Sequence, residues 1–273
     1  MESSLRIALV LCGSVVGDTP GNLSKIENWT AAAKQKGADL VCFPELSATG
    51  YHIGKEIHAA AETIPGPCSV RIAEIADKHG IRVLAGMAEK SGSHTYAAHV
   101  MAEPGSGISG IYRKLHIGPP EKNAFSPAAQ IPPLFEVSGW RIGLQLCYDA
   151  HFPELSTSMA LAGADIILMP HASPGKSPDE KLASWMRHLP ARAFDNGLYV
   201  AAINAVGTNG CGLCFPGVAL VLSPEGKILK QYTGEYETLI IADLSRQSLE
   251  SVRRHPMKYF LPHRRPEIYH KND

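Results

Sequence analysis

Apolar residues recur along the chain in short unbroken runs separated by stretches of helical period. Residues 5–12 form a continuous apolar run, as expected of a strand buried on both faces. Pro20, Gly21 and Asn22 then open a segment in which Leu23, Ile26, Thr30 and Ala33 recur at helical spacing until Gly37 stops it. A second strand is predicted at 39–43 and a second amphipathic helix at 67–80, with Ile72, Ile75, Ala76 and His79 on one side. Three consecutive strands are expected at 81–89, 95–102 and 109–112, and a loop rich in Gly and Pro follows at 118–133. The second half repeats the theme. A strand is predicted at 140–147, a helix at 152–163, a strand at 165–169 and one long helix at 179–196. Strands follow at 198–203, 213–222, 227–231 and 238–242, with a last helix at 245–254. Ser223-Pro224-Glu225-Gly226 reads as a hairpin turn. The order strand–helix–short strand thus occurs twice without literal repetition. It predicts two similar α/β halves on one core, with no linker between them that is free of hydrophobic residues.

Composition narrows the function classes. The 273 residues carry 26 Lys+Arg against 26 Asp+Glu, so the net charge is zero and no broad electrostatic footprint for nucleic acid is expected. The basic residues near the end (Arg253, Arg254, Lys258, Arg264 and Arg265) give at most a local patch. With 45% hydrophobic residues the chain has enough apolar side chain for a sizeable core. The apolar run at 7–12 is too short to span a bilayer or serve as a secretory leader, so the expectation is a cytoplasmic protein without membrane contact.

The six cysteines do not look like a disulfide framework in a chain this large. Cys211-Gly212-Leu213-Cys214 has C-x-x-C spacing, but a structural zinc site needs two such pairs, and a strand-like run follows rather than the helix of a redox motif. The histidines, among them His94, His99, His116 and His263, show no H-E-x-x-H pattern. No metal site is expected from these spacings.

Three polar residues end or follow strand-like runs. Glu45 follows Val41-Cys42-Phe43-Pro44, Lys114 follows Ile111-Tyr112-Arg113, and Cys147 ends the run Ile142-Gly143-Leu144-Gln145-Leu146. Ligands gather at the carboxyl ends of strands in α/β sheets. A thiol there is a potential nucleophile, its usual pKa of about 8.5 falling beside a cation such as lysine, and a carboxylate can shuttle the proton. Singly, each also has an ordinary structural account: a packed cysteine, a solvated glutamate, a surface lysine beside Arg113.

Their flanking residues resemble one family. Phe43-Pro44-Glu45-Leu46 with Thr49-Gly50-Tyr51, then Tyr112-Arg113-Lys114-Leu115-His116, then Cys147-Tyr148-Asp149 with Phe152-Pro153-Glu154, are similar in order and spacing to the three motifs of the nitrilase superfamily, the carbon–nitrogen hydrolases. Gly37-Ala38-Asp39, Gly163-Ala164-Asp165, Pro190-Ala191-Arg192-Ala193, residues 200–204 and Arg265-Pro266-Glu267 extend the likeness over nearly the whole chain. The resemblance implies one domain over 1–273 built as a four-layer α-β-β-α sandwich with two pseudo-symmetric halves. It also implies chemistry with no metal and no organic cofactor, and pairing into a homodimer or higher homo-oligomer, with the tail from about 255 at the subunit interface. By motif position it implies Cys147 as nucleophile, Glu45 as general base and Lys114 as the cation facing the oxyanion, with Glu121 as a fourth polar residue. Tyr148 would offer its backbone N–H, while His171 and Tyr51 are candidates for contacting the substrate. Cys147-Tyr148-Asp149-Ala150 looks more like the amidase and carbamoylase branches than the Cys-Trp-Glu pattern of true nitrilases. The implied substrate is a small linear amide or N-carbamoyl amine, with nitrile hydrolysis or a silent binding homologue as alternatives. Where the common branch pattern has Arg two residues after the Asp, His151 stands here, and no role is assigned to it.

Overall fold

The computed structural model describes residues 4–269. Its chain runs β1 (Ser4–Leu11), α1 (Thr19–Gln35), β2 (Leu40–Cys42), α2 (Glu56–Ala60), α3 (Pro67–His79), β3 (Arg82–Ser91), β4 (His94–Glu103) and β5 (Gly107–Arg113) through the first half. The second half contains β6 (Phe135–Val137), β7 (Trp140–Leu144), α4 (Pro153–Leu161), β8 (Ile166–His171), α5 (Pro178–Trp185), α6 (Leu189–Asn196), β9 (Tyr199–Asn204), β10 (Gly207–Thr208), β11 (Cys214–Phe215), β12 (Gly217–Leu222) and β13 (Ile228–Gly234). The chain then returns through β14 (Thr238–Ser245) and α7 (Arg246–Arg253).

Two six-stranded sheets result, ordered β14-β1-β2-β3-β4-β5 and β13-β12-β9-β8-β7-β6. In each, three central strands are parallel (β1, β2, β3 and β7, β8, β9) and the flanking strands antiparallel. The halves therefore correspond strand for strand, β2 to β8 and β1 to β7, with β14 closing the first sheet where β6 closes the second.

Alternation along β1 shows the layering. Leu5, Ile7, Leu9 and Leu11 enter the core shared with Ile142, Leu144, Ile166 and Leu168 of the second sheet. Ala8 and Val10 pack instead with Leu23 and Ile26 of α1 and Ile72 and Ile75 of α3. Both faces of the strand are covered, which is why its sequence is an unbroken apolar run rather than an alternating one. Helices α4 and α6 pack together on the second sheet. The order is α-β-β-α.

Four local expectations change. The long helix expected at 179–196 is two helices, because Pro190 has no N–H to continue the ladder and instead occupies the first turn of α6. The strand expected at 213–222 is split by Pro216 into β11 and β12 for the same reason. β7 ends at Leu144, so Cys147 lies beyond the strand and opens a 3-10 turn, Cys147–His151. The three-residue β6 was hidden in loop-like sequence; it pairs with β7 across Ser138-Gly139, both at positive φ (50° and 77°), a two-residue hairpin turn. Among the described residues, no helix is long and apolar enough to cross a membrane. No group of three or more His, Cys, Asp or Glu could hold a metal ion there either.

Candidate active site

Glu45 lies three residues beyond β2, at the carboxyl end of the first sheet's central parallel strand. Its loop is pressed onto β3. Gly86 N–H donates to Ser47 Oγ (3.1 Å) and Ala88 N–H to Thr49 Oγ1 (3.0 Å). Gly86 permits the approach, since a Cβ there would sit 2.3 Å from Leu46 N. Leu46 itself is held at φ 55°, a left-handed conformation uncommon for a leucine.

Lys114 immediately follows β5, its neighbour Arg113 anchored by a bidentate pair to buried Glu89 (2.6 and 2.5 Å). The Lys114 side chain is fully buried and its ammonium donates to Glu45 Oε1 (2.9 Å) and Glu121 Oε1 (2.8 Å). Glu121 pairs with this residue, not with its neighbour Lys122. Its other oxygen accepts from Gly118 N–H (2.8 Å), and Tyr51 O–H donates to Oε1 (3.0 Å). Tyr51 therefore positions Glu121, with its ring edge-on to Phe215 at 6.1 Å. The second Glu45 oxygen accepts from Ala172 N–H (3.1 Å), just past β8. Corresponding ends of β2 and β8 thus meet across the sandwich at this carboxylate.

Cys147 is partly open to solvent, whereas Cys12, Cys42 and Cys68 are buried, Cys211 lies exposed on a loop and Cys214 is exposed at the start of β11. Its φ of 45° is one of three positive values among the described non-glycine residues, with Leu46 and Ser138. Two of these three flank the acid and the thiol, where strain is commonly held by surrounding contacts. Those contacts are visible. Asp149, wholly buried, accepts from Leu146 N–H (3.1 Å), Tyr112 O–H (2.8 Å) and His116 N–H (2.8 Å), tying the cysteine turn to the lysine segment. Arg192 of α6 donates to the carbonyls of Ala150 (3.1 Å) and His151 (3.0 Å). His116 stacks on Phe152 at 3.8 Å.

The charges are felt mutually. Burial, opposed by Lys114 and aided by the Glu121 charge, raises the Glu45 carboxyl to about 7. Burial also works against the Lys114 ammonium, but Glu45, Cys147 and Glu121 outweigh it and hold the lysine charged, well above its ordinary value. The thiol departs from expectation. Burial first and the Glu45 charge second push Cys147 up to about 12, and the neighbouring lysines offset this only in part. At that value the sulfur keeps its proton near neutral pH.

His171, at the end of β8, is buried and its Nδ1 lies 2.8 Å from the Met169 carbonyl, with Trp185 at 4.6 Å. That bond fixes the tautomer with Nδ1 protonated and leaves Nε2 an acceptor. Burial keeps the ring neutral, its pKa lowered well below the ordinary value. Tyr148 is half-buried beside His151 (5.6 Å) and Phe152 (5.4 Å). The roles of Asp149, Arg192 and Lys181 were not legible in the sequence. Asp149 and Arg192 stand within quoted motifs, but only the fold shows what they hold. Lys181 had no motif at all, and its ammonium donates to Ser173 Oγ, one residue from the Ala172–Glu45 contact.

The carbon–nitrogen hydrolase family model matches residues 6–254. A protein of Pseudomonas protegens described as a hydrolase in the pqqF 5' region is 35% identical over 97% of this chain and 91% of its own length. The crystal structure of an amidase from Nesterenkonia sp. is 30% identical and superposes with a TM-score of 0.81 over 98% of this chain and 95% of that one. A variant of that amidase, covering 92% of this chain and 94% of that one at 30% identity and a TM-score of 0.77, carries the acetamide moiety of fluoroacetamide added covalently at its active-site cysteine. With a family model spanning nearly the whole sequence and the matching four-layer architecture, this chain belongs to the carbon–nitrogen hydrolase family of the nitrilase superfamily.

Proposed function

We propose that this chain hydrolyses the C–N bond of a small linear amide or N-carbamoyl amine through a thioester on Cys147. The observation that carries the reading is a cysteine on a strained, partly exposed turn, its thiol beside a buried glutamate whose pKa of about 7 suits a proton shuttle near neutral pH. The covalent adduct at the cysteine of the Nesterenkonia amidase supports the same chemistry.

Glu45 takes the thiol proton as sulfur attacks the amide carbon. Lys114 has three N–H donors, and its two carboxylate partners leave the third for the developing oxyanion. Tyr148 N–H, in the first turn of the Cys147–His151 segment, is a second donor without an intrahelical partner. Each such donor contributes about 2.7–4 kcal/mol to the transition state. Collapse breaks the C–N bond, and Glu45 returns the proton to the departing nitrogen. Water, deprotonated by Glu45 and oriented by Glu121, then attacks the thioester. The acid leaves and the thiol is restored, two easier steps replacing one hard one.

Mass spectrometry after mixing with paired amides, carbamoyl compounds and nitriles tests this. Amides or carbamoyl compounds are expected to leave an acyl adduct on Cys147, and adducts from nitriles alone would overturn the amide reading. A pH profile gives a second prediction. Glu45 is a base only when ionised, so kcat/KM should fall as pH drops through about 7. Glu45→Gln should lower kcat by roughly 10²–10⁴ and remove that acidic limb; an intact limb in the variant would assign it to another group.

The proposed assembly is a homo-oligomer. Phe194 of α6 and Phe260 of the tail are both exposed and meet at 5.5 Å, with Met257 77% exposed nearby in sequence. A second copy of this chain covering that apolar face would give light-scattering masses of at least twice 29.4 kDa. Phe260→Asp should shift the mass downward, and a wild-type monomer at micromolar concentration would exclude the assembly.

A further inference from the structure

His99, in the middle of β4, is wholly buried, and neither of its ring nitrogens makes a well-formed hydrogen bond among the described residues. The Leu84 carbonyl lies beside the ring but already accepts from Phe43 N–H (2.9 Å). Buried polar groups are nearly always paired, and an orphan is costly, so a ring left in this state calls for a reason.

Register places it. His99 lies opposite Gly86 of β3 and opposite Tyr112 of β5, so the three form one row across the first sheet. Directly opposed residues share a face, and Tyr112 shows which: it packs in the core between the two sheets. Both neighbours in the row serve the site. Gly86 is where the Glu45 loop presses onto the sheet, and Tyr112 O–H donates to Asp149 (2.8 Å), which holds the cysteine turn. The histidine stands between them.

The space above Gly86 shows what the ring meets. A Cβ there would lie 2.3 Å from Leu46 N, 3.0 Å from His99 Nδ1 and 3.1 Å from the Glu45 carbonyl carbon. The Leu46 N–H and the ring nitrogen therefore share one small space over a residue with no side chain. The Leu46 carbonyl accepts from Gly50 N–H (2.8 Å), but its N–H donates to no other group among the described residues. The Glu45 carboxylate has its own contacts, Lys114 and Ala172 N–H; the peptide that follows it, leading into Leu46 at φ 55°, needs holding from outside. A neutral imidazole with its proton on Nε2 offers Nδ1 as an acceptor. Burial keeps this ring neutral, its pKa lowered to about 3.

We propose that His99 is a positioning residue for the general base: its Nδ1 accepts the Leu46 N–H, fixing the Glu45–Leu46 peptide and with it the direction in which the Glu45 carboxylate faces Lys114 and Cys147. The inference rests on the amide hydrolysis proposed above. The row then has one purpose: glycine admits the base loop, histidine pins it, and tyrosine pins the thiol turn through Asp149.

His99→Leu and His99→Asn test it in the full-length protein. Leucine has similar bulk and no acceptor, whereas the asparagine amide oxygen can take the place of Nδ1. With an amide that leaves an adduct on Cys147, His99→Leu should lower kcat by roughly tenfold and leave KM within about twofold, because a misaimed base costs rate rather than binding. Hydrogen exchange of the Leu46 amide should quicken by roughly tenfold or more in the same variant. Asparagine should restore part of both, which a merely space-filling histidine would not require. On the wild type alone, nitrogen-15 spectra of the ring should show a neutral imidazole with an unprotonated, hydrogen-bonded Nδ1 from about pH 5 to 8, a reading that survives if the leucine variant does not fold. A proton on Nδ1, or kcat and Leu46 exchange both unchanged in His99→Leu, overturns this inference and leaves the amidase reading standing. Failure of the wild type to form any adduct overturns the amidase reading and with it a catalytic purpose for the contact, while Leu46 exchange still reports whether the contact exists.

Discussion

Cys147→Ala is expected to lower amide turnover by roughly 10⁴-fold or more, because the variant has no atom on which the acyl group can be carried. The substitution is nearly silent for the fold. Alanine adopts the 45° φ of the turn with the same strain as cysteine, and the contacts that hold the turn come from Asp149 and Arg192. Circular dichroism and thermal melting should match the wild type while substrate still binds. Of the six cysteines, only Cys147 combines partial exposure with a neighbouring acid and ammonium. Removal of any of the other five should therefore leave the acyl adduct in place. Full activity in Cys147→Ala would end the covalent account.

Lys114→Met should damage stability as well as rate. The lysine is wholly buried between two carboxylates. Removing one partner of a buried ion pair costs about 3–5 kcal/mol, here with two acids left facing each other, which corresponds to a fall in Tm of roughly 10 °C. The pH dependence gives the sign. Without the cation the buried Glu45 carboxyl binds its proton more tightly folded than unfolded, so the variant is most stable below the ordinary carboxylate range and loses stability as pH rises through the raised Glu45 value. Calorimetry should find the gap to wild type wider at pH 8 than at pH 5.5. Activity should fall by at least roughly 10³-fold, from the lost oxyanion donor and the misplaced base. A gap independent of pH would mean the carboxylates are not held by this lysine.

These two residues also show how differently the chemistry and its support are written in the chain. Glu45, Lys114 and Cys147 stand beside apolar runs, with flanking motifs dense enough to name a family before any coordinate is known. Tyr51 had a place in the first motif, but its hydroxyl's partner, Glu121, is 70 residues away, and local pattern carries no distance of that kind. Asp149 is similar: its bonds to Tyr112 and His116 span 37 and 33 residues. Lys181 was hidden for a further reason. The helix that carries it was expected to continue to 196, and the break before Pro190 leaves α5 a short element of its own, with Trp185 turned to β8.

By itself, the sequence determined the alternation of strands and helices, the two-half plan and the three motifs, because period, breaker residues and short-range spacing are local properties of the chain. Tertiary structure alone decided that the ends of β2 and β8 meet at Glu45 and that burial leaves Cys147 a neutral thiol despite its lysine neighbours. It also decided that, among the described residues, no Asp or Glu pairs with Lys181. Desolvation and pairing depend on what surrounds a group from every side, and most of those neighbours come from segments distant in the chain.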